Sequence, residues 1–124
     1  MLFRSAGNAE DAARIEQRIE AARTSRDTTN LAAMIGADLE LRGPSRVEWV
    51  EAMYFADHTR TMPEIEAALL ALQVHGNANG TVPRERVIQS YRAFIRERPA
   101  MAGFVAQQLA DWIIGISQRN TWHF

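Results

Sequence analysis

Asp57, His58, Arg60 and Glu64 stand within eight residues of one another, and here the chain sets a histidine beside carboxylates. An Asp–His neighbour can orient a general base, provided both groups face the same proton. No Ser, Cys or second carboxylate at a telling spacing completes a nucleophile or a paired acid and base. Adjacent residues at a helix end also point in different directions. His58 therefore reads as a surface histidine near a helix C-terminus, where the backbone dipole favours it. His75 falls at a helix end too, and His58, His75 and His123 are too scattered to hold a metal.

The segment His75 to Arg86 has the outline of a degenerate EF-hand loop, with Asn77, Asn79, Gly80 and Val82 at its third, fifth, sixth and eighth positions. Its first position is His75 instead of Asp, and its twelfth, which should supply a bidentate Glu, is Arg86. No carboxylate is left among the side-chain ligands, so this is a helix-loop-helix without calcium. Asn79-Gly80-Thr81 formally matches a glycosylation sequon, with nothing beside it to suggest secretion. The arginines that follow are more informative: Arg84, Arg86, Arg92, Arg96 and Arg98 stand against Glu85 and Glu97. Arg92 and Arg96, four apart on one helix, form a like-charge pair costing about 0.2–0.5 kcal/mol unless an anion lies nearby. Arg84, Arg86, Arg92 and Arg96 are thus candidates for an anionic partner, nucleic acid included. The plainer reading is a solvated face that complements the first half of the chain. Residues 1–66 hold 8 Arg and 12 acids, whereas 67–124 hold 6 Arg and 3 acids. A chain with a formal net charge of −1 lacks the basic excess usual in nucleic-acid proteins, so nucleic acid is not the expected partner.

Composition narrows the chemistry further. There is no Cys, which removes disulfides, thiolate nucleophiles and thiolate metal sites, and no Lys, which removes Schiff bases and the phosphate-loop lysine. All 14 basic residues are Arg, as the codon bias of a GC-rich genome would produce. Hydrophobic residues make up 47% of the chain, enough for a globular domain. No apolar run approaches a membrane span, and the N-terminus lacks the apolar core of a signal peptide. The expectation is a cytoplasmic protein that is not an enzyme and takes no cofactor or metal.

The elements that must position these residues are helices; no convincing alternation of period two is found. Asn8 and Asp11 start a first helix over about 9–24. Asp27 or Thr28 caps a second, which Gly43 ends. Ser45 with Glu48 forms a capping box for a third, over about 46–58, and Thr61 with Glu64 another for a fourth, with Pro63 in its first turn. That fourth helix is expected to stop at His75, with Gly76 supplying the left-handed residue. Thr81 caps a fifth, whose Val87, Ile88, Tyr91, Phe94 and Ile95 recur at helical spacing. Pro99 begins a sixth. Tyr54, Leu69, Leu72, Tyr91, Phe94, Phe104 and Leu109 are the expected core. Residues 1–7 and 118–124 are expected to be irregular, in a single domain spanning 1–124.

The helix pairs repeat. Pro44 to Pro83 is 39 residues and Pro63 to Pro99 is 36, the spacing of stacked helical hairpins. With Met101-Ala102-Gly103-Phe104-Val105-Ala106-Gln107-Gln108-Leu109-Ala110-Asp111-Trp112 following Pro99, residues 44–112 resemble HEAT-like α-solenoid repeats of bacterial proteins. The resemblance implies an all-α, HEAT/armadillo-like right-handed superhelix of about six helices in antiparallel hairpins. It also implies a scaffold or protein-interaction role, a partner that is another protein or further repeats, and no catalytic residues. Both termini suggest a fragment of a longer chain. Trp112, Ile113, Ile114 and Ile116 are too apolar for a wetted helix end and are the candidate interface.

Overall fold

The computed structural model describes the backbone of residues 2–121 and the side chains of residues 9–115. The chain is all-α, with no strand among the described residues. Its helices are α1 (Leu2–Ser25), α2 (Leu31–Arg42), α3 (Arg46–Val50), α4 (Met62–Ala78), α5 (Arg84–Glu97) and α6 (Gly103–Thr121). A π-helical turn, Glu51–Phe55, extends α3, and a 3₁₀ turn, Pro99–Met101, precedes α6. The helical backbone of α1 and α6 thus reaches into the end segments expected to be irregular. Among the described residues no helix is long and apolar enough to cross a membrane.

The local signals act unevenly. At α4 the capping box forms in full: Thr61 accepts from the Glu64 N–H, Glu64 accepts from the Thr61 N–H, and Pro63 sits in the first turn. At α3 it does not, because Ser45 already has helical backbone angles (φ −62°, ψ −23°) and its hydroxyl caps nothing. Asp27 is spent on the Thr29 N–H, and the residue that opens α2 is Asn30, in the left-handed conformation at φ 61°. Gly43 ends α2 at φ 83°, as its position suggests. Gly76 is not a stop, since α4 runs on to Ala78. The left-handed residue is Asn79 (φ 52°), whose side-chain Oδ1 also accepts from the Arg84 N–H at 2.8 Å. Asn79 therefore ends α4 and satisfies the first N–H of α5, whose N-cap position is Pro83, and Thr81 is left to donate to Glu40.

Contacts between elements arrange the helices in two layers. In one, α2, α4 and α6 run parallel: the Gly36 carbonyl meets His75 Nε2 at 2.9 Å and Glu40 meets Thr81, while Gln73 bonds Gln108 and Asn77 bonds Trp112. In the other, α1, α3 and α5 run parallel. Glu16 pairs with Arg46 and Asp57 with Arg23, then Glu51 with Arg86, and Phe55 stacks edge-on against Phe94 at 5.0 Å. Consecutive helices are antiparallel, as between α4 and α5, where Arg84 reaches the Gly76 carbonyl and Tyr91 that of Leu69. The core lies between the layers, and α4 is its middle member, with Ala67, Ala68 and Ala71 letting neighbours approach closely.

Tyr54, Leu69, Leu72, Tyr91 and Phe94 are buried as expected. Leu109 is half-buried, and Phe104 is 59% exposed. The correction at Phe104 has a simple cause. The 3₁₀ turn occupies Pro99–Met101, so α6 starts later than a helix opened by Pro99, and its inward positions fall on Val105 and Trp112.

Candidate functional site

Asp57, His58, Arg60 and Glu64 do not converge on a cavity. Glu64 is fully buried at the N-terminus of α4, where it accepts from the Thr61 N–H and hydroxyl (3.0 Å each) and from Arg60 (2.9 Å). Burial pushes its pKa up, but these hydrogen bonds and the Arg60 charge outweigh burial and hold it below the ordinary value. Asp57 accepts from the Thr59 hydroxyl and N–H, which lower its pKa, and it pairs with Arg60 and Arg23. Arg98 is buried and donates to the Phe55 and Asp57 carbonyls. His58 points elsewhere, 60% exposed and 3.6 Å from Glu97. Acid–base chemistry needs two groups with pKa values pushed apart; here both carboxylates are pushed the same way, towards the ion. The cluster ties the end of α1 and the turn after α3 to the start of α4.

The EF-hand-like positions are also spent internally. Asn77 accepts from the Trp112 indole N–H, Asn79 from the Arg84 N–H, and Arg86 is paired with Glu51. Among the described residues no three His, Asp or Glu side chains are grouped to hold a metal. Of the candidate anion-binding arginines, Arg84 is bonded to the end of α4 through the Gly76 and Asn77 carbonyls. Arg92 and Arg96 remain exposed on α5. The four do not form one aligned row.

The apolar candidates separate in the same way. Trp112 is buried, its indole tilted against Tyr91 at 5.1 Å between ring centres. Ile113 and Ile114 are 39% and 52% exposed, and the side chain of Ile116 lies outside the described residues.

A further surface is not apparent from sequence alone. Between α2 and α4 lies an open groove of about 810 Å³. Ala32, Ala33 and Gly36 form one wall, Leu70, Ala71, Val74 and Ala78 the other, with Glu40 and His75 towards one end. Leu70 (50% exposed) and Val74 (58% exposed) stand four residues apart on α4, on the side away from the core. At the other end the groove continues into a smaller depression of about 330 Å³, which shares Asn30, Ala32 and Leu70 with it and reaches Pro63 and Glu66. The available signal was the excess of apolar residues on α4. Ile65, Ala68, Leu69 and Leu72 already complete an inward stripe, so Leu70 and Val74 had to lie elsewhere.

No protein-family model, curated protein or solved structure matches the chain significantly. Its functional reading rests on its own residues.

Proposed function

We propose that this chain is a non-catalytic helical-repeat module, HEAT-like in the stacking of its hairpins, that acts in the cytoplasm as a protein-interaction scaffold. The observation that carries the reading is the pair Leu70 and Val74, large apolar side chains held in solvent at the edge of an apolar groove. Apolar surface gathered around a concavity favours association, because covering it releases water at about 25 cal/mol per Å². The parallel α2–α4–α6 layer and its α1–α3–α5 counterpart support the repeat reading, as do the 39- and 36-residue spacings. A right-handed progression of the hairpins belongs to the same proposal.

The test is capture from a lysate of the source organism, at low and high salt, on the immobilised chain and two surface variants: Leu70→Ser/Val74→Ser and Ile113→Ser/Ile114→Ser. Protein retained at high salt by the native chain and lost by either variant supports the module. Nucleic acid recovered only at low salt would favour an anionic partner on Arg92 and Arg96 instead. If nothing is captured under either condition, the module reading fails.

A further inference from the structure

The α2–α4 groove has a length, a polarity and a charge pattern, and together they specify what fits it. From Asn30 to Glu40 it follows about ten residues of α2, roughly 15 Å, or three helical turns. Its floor and walls are Ala32, Ala33, Gly36, Leu70, Ala71 and Val74. A methyl group built on Gly36 would meet nothing within 4 Å, so the space above that residue is open. Carboxylates mark its two ends: Glu40, with its side chain 60% exposed, and the exposed Glu66. Among the described residues no arginine lines either part of the groove. The flanking helices are parallel, so their dipoles add, with the positive end beside Asn30 and Glu66 and the negative end beside Glu40.

We infer that the groove binds an amphipathic helix of another protein, running antiparallel to α2 and α4, with basic residues in its last turn. The inference rests on the module reading above and names that module's partner by its chemistry. A helix of about three turns presents apolar side chains at i, i+3 or i+4 and i+7, matching a groove of this length. Antiparallel placement sets its N-terminal N–H groups against Glu40 and its C-terminal arginines or lysines against Glu66, and opposes its dipole to those of α2 and α4. A fatty acid or anionic lipid would bring a third negative charge into a groove already flanked by two. A second copy of this chain would have to offer its own helix with this pattern.

The probe is a displayed library of 18-residue helical peptides with one face randomised, selected on the full chain. The expected result is enrichment of apolar residues at i, i+3 or i+4 and i+7, with Arg or Lys in the last turn. Binding of the selected peptides, followed by fluorescence anisotropy, should weaken at least about tenfold on Leu70→Ser/Val74→Ser, with the circular dichroism spectrum and melting temperature retained. Glu66→Arg should weaken the same peptides and restore binding to versions whose last-turn basic residues are changed to Glu. A nitroxide on the peptide N-terminus should broaden amide signals near Glu40 and not those near Glu66. Several results overturn the inference: no enrichment, selected peptides indifferent to the Leu70/Val74 variant, the opposite orientation, or a dimer in light scattering that the same variant dissolves. Should lysate capture depend on Ile113 and Ile114 while the library yields nothing, the module stands and the groove assignment falls. Should the library succeed where capture fails, the groove binds a helix and the scaffold role is what falls.

Discussion

Two seams run along α4, each built from a glycine facing a ring, and they differ in what the ring leaves behind. At the α2–α4 seam, His75 Nε2 lies 2.9 Å from the Gly36 carbonyl. A carbonyl only accepts, so Nε2 carries the proton there and Nδ1 faces Glu40 at 4.0 Å. The imidazole is small and is held by its edge, and the space over Gly36 stays open as the groove. At the α4–α6 seam the ring is the Trp112 indole, lying directly on Gly76. A methyl group at Gly76 would stand 2.6 Å from Trp112 Cη2 and Cζ2 and 3.2 Å from Val87 Cγ1. The indole N–H is satisfied by Asn77, and the ring is tilted against Tyr91 at 5.1 Å between ring centres. The seam with the small, polar ring thus keeps an open groove, and the seam with the large, apolar ring is closed.

The largest expected effect breaks the closed joint. Trp112→Ala should cost about 3–5 kcal/mol, read from the denaturation midpoint, with amide protection lost first in α6. An unchanged midpoint would mean that α6 is held by something else. Gly76→Val attacks the same joint from the other side. Its side chain must displace a packed indole, and we expect a loss of about 1–3 kcal/mol despite the better helix propensity of Val. Gly36→Ala is the matching change at the open seam and should act with the opposite sign. With nothing in the way of the new methyl, the reduced backbone freedom should add about 0.5–1 kcal/mol, seen as a rise in melting temperature. Finding the two glycines equally sensitive would dissolve the comparison.

The dependence on pH should have an alkaline limb, to which the buried Tyr54 and Tyr91 both contribute, and an acid limb. Burial raises the pKa of Tyr91, which lies under Trp112, above its ordinary 10.0. A raised folded value means that the unfolded chain loses this proton first. Stability is therefore full below pH 10 and falls as alkali carries the solution towards the folded value. Tyr91→Phe should reduce that alkaline loss, measured as the urea midpoint against pH. Glu64 behaves in the reverse sense: its folded value lies below the ordinary 4.5, so its contribution is present above that pH and fades as acid approaches the folded value. Glu64→Gln should flatten the acid slope, measured as the urea midpoint against pH.

Legibility varied with how local each cause was. The all-α class, the Thr61–Glu64 box, Pro63 and the Gly43 stop could be read because each depends on residues a few positions apart. The buried Tyr54, Tyr91 and Phe94 followed from periodicity in the same way. Phe104 faces inward only if Pro99 opens an α-helix, and the 3₁₀ turn at Pro99–Met101 shifts the phase of α6. Gly76 and Asn79 exchanged roles for a related reason. Either residue permits a left-handed stop, and in the folded chain Gly76 stays within the helix with Trp112, 36 residues away, packed on it.

The helices, their approximate boundaries, the internal spacing and the lack of Lys and Cys can all be read from the chain alone. Helical periodicity, caps and composition are properties of short windows, so one chain suffices to read them. The stacking of the helices sets which side chains meet. It committed Arg84, Arg86 and Arg98 to internal partners, turned His58 away from Glu64, covered Trp112, and left Leu70 and Val74 beside an open groove. Those outcomes depend on the order and direction in which helices stack, which no single window of sequence contains.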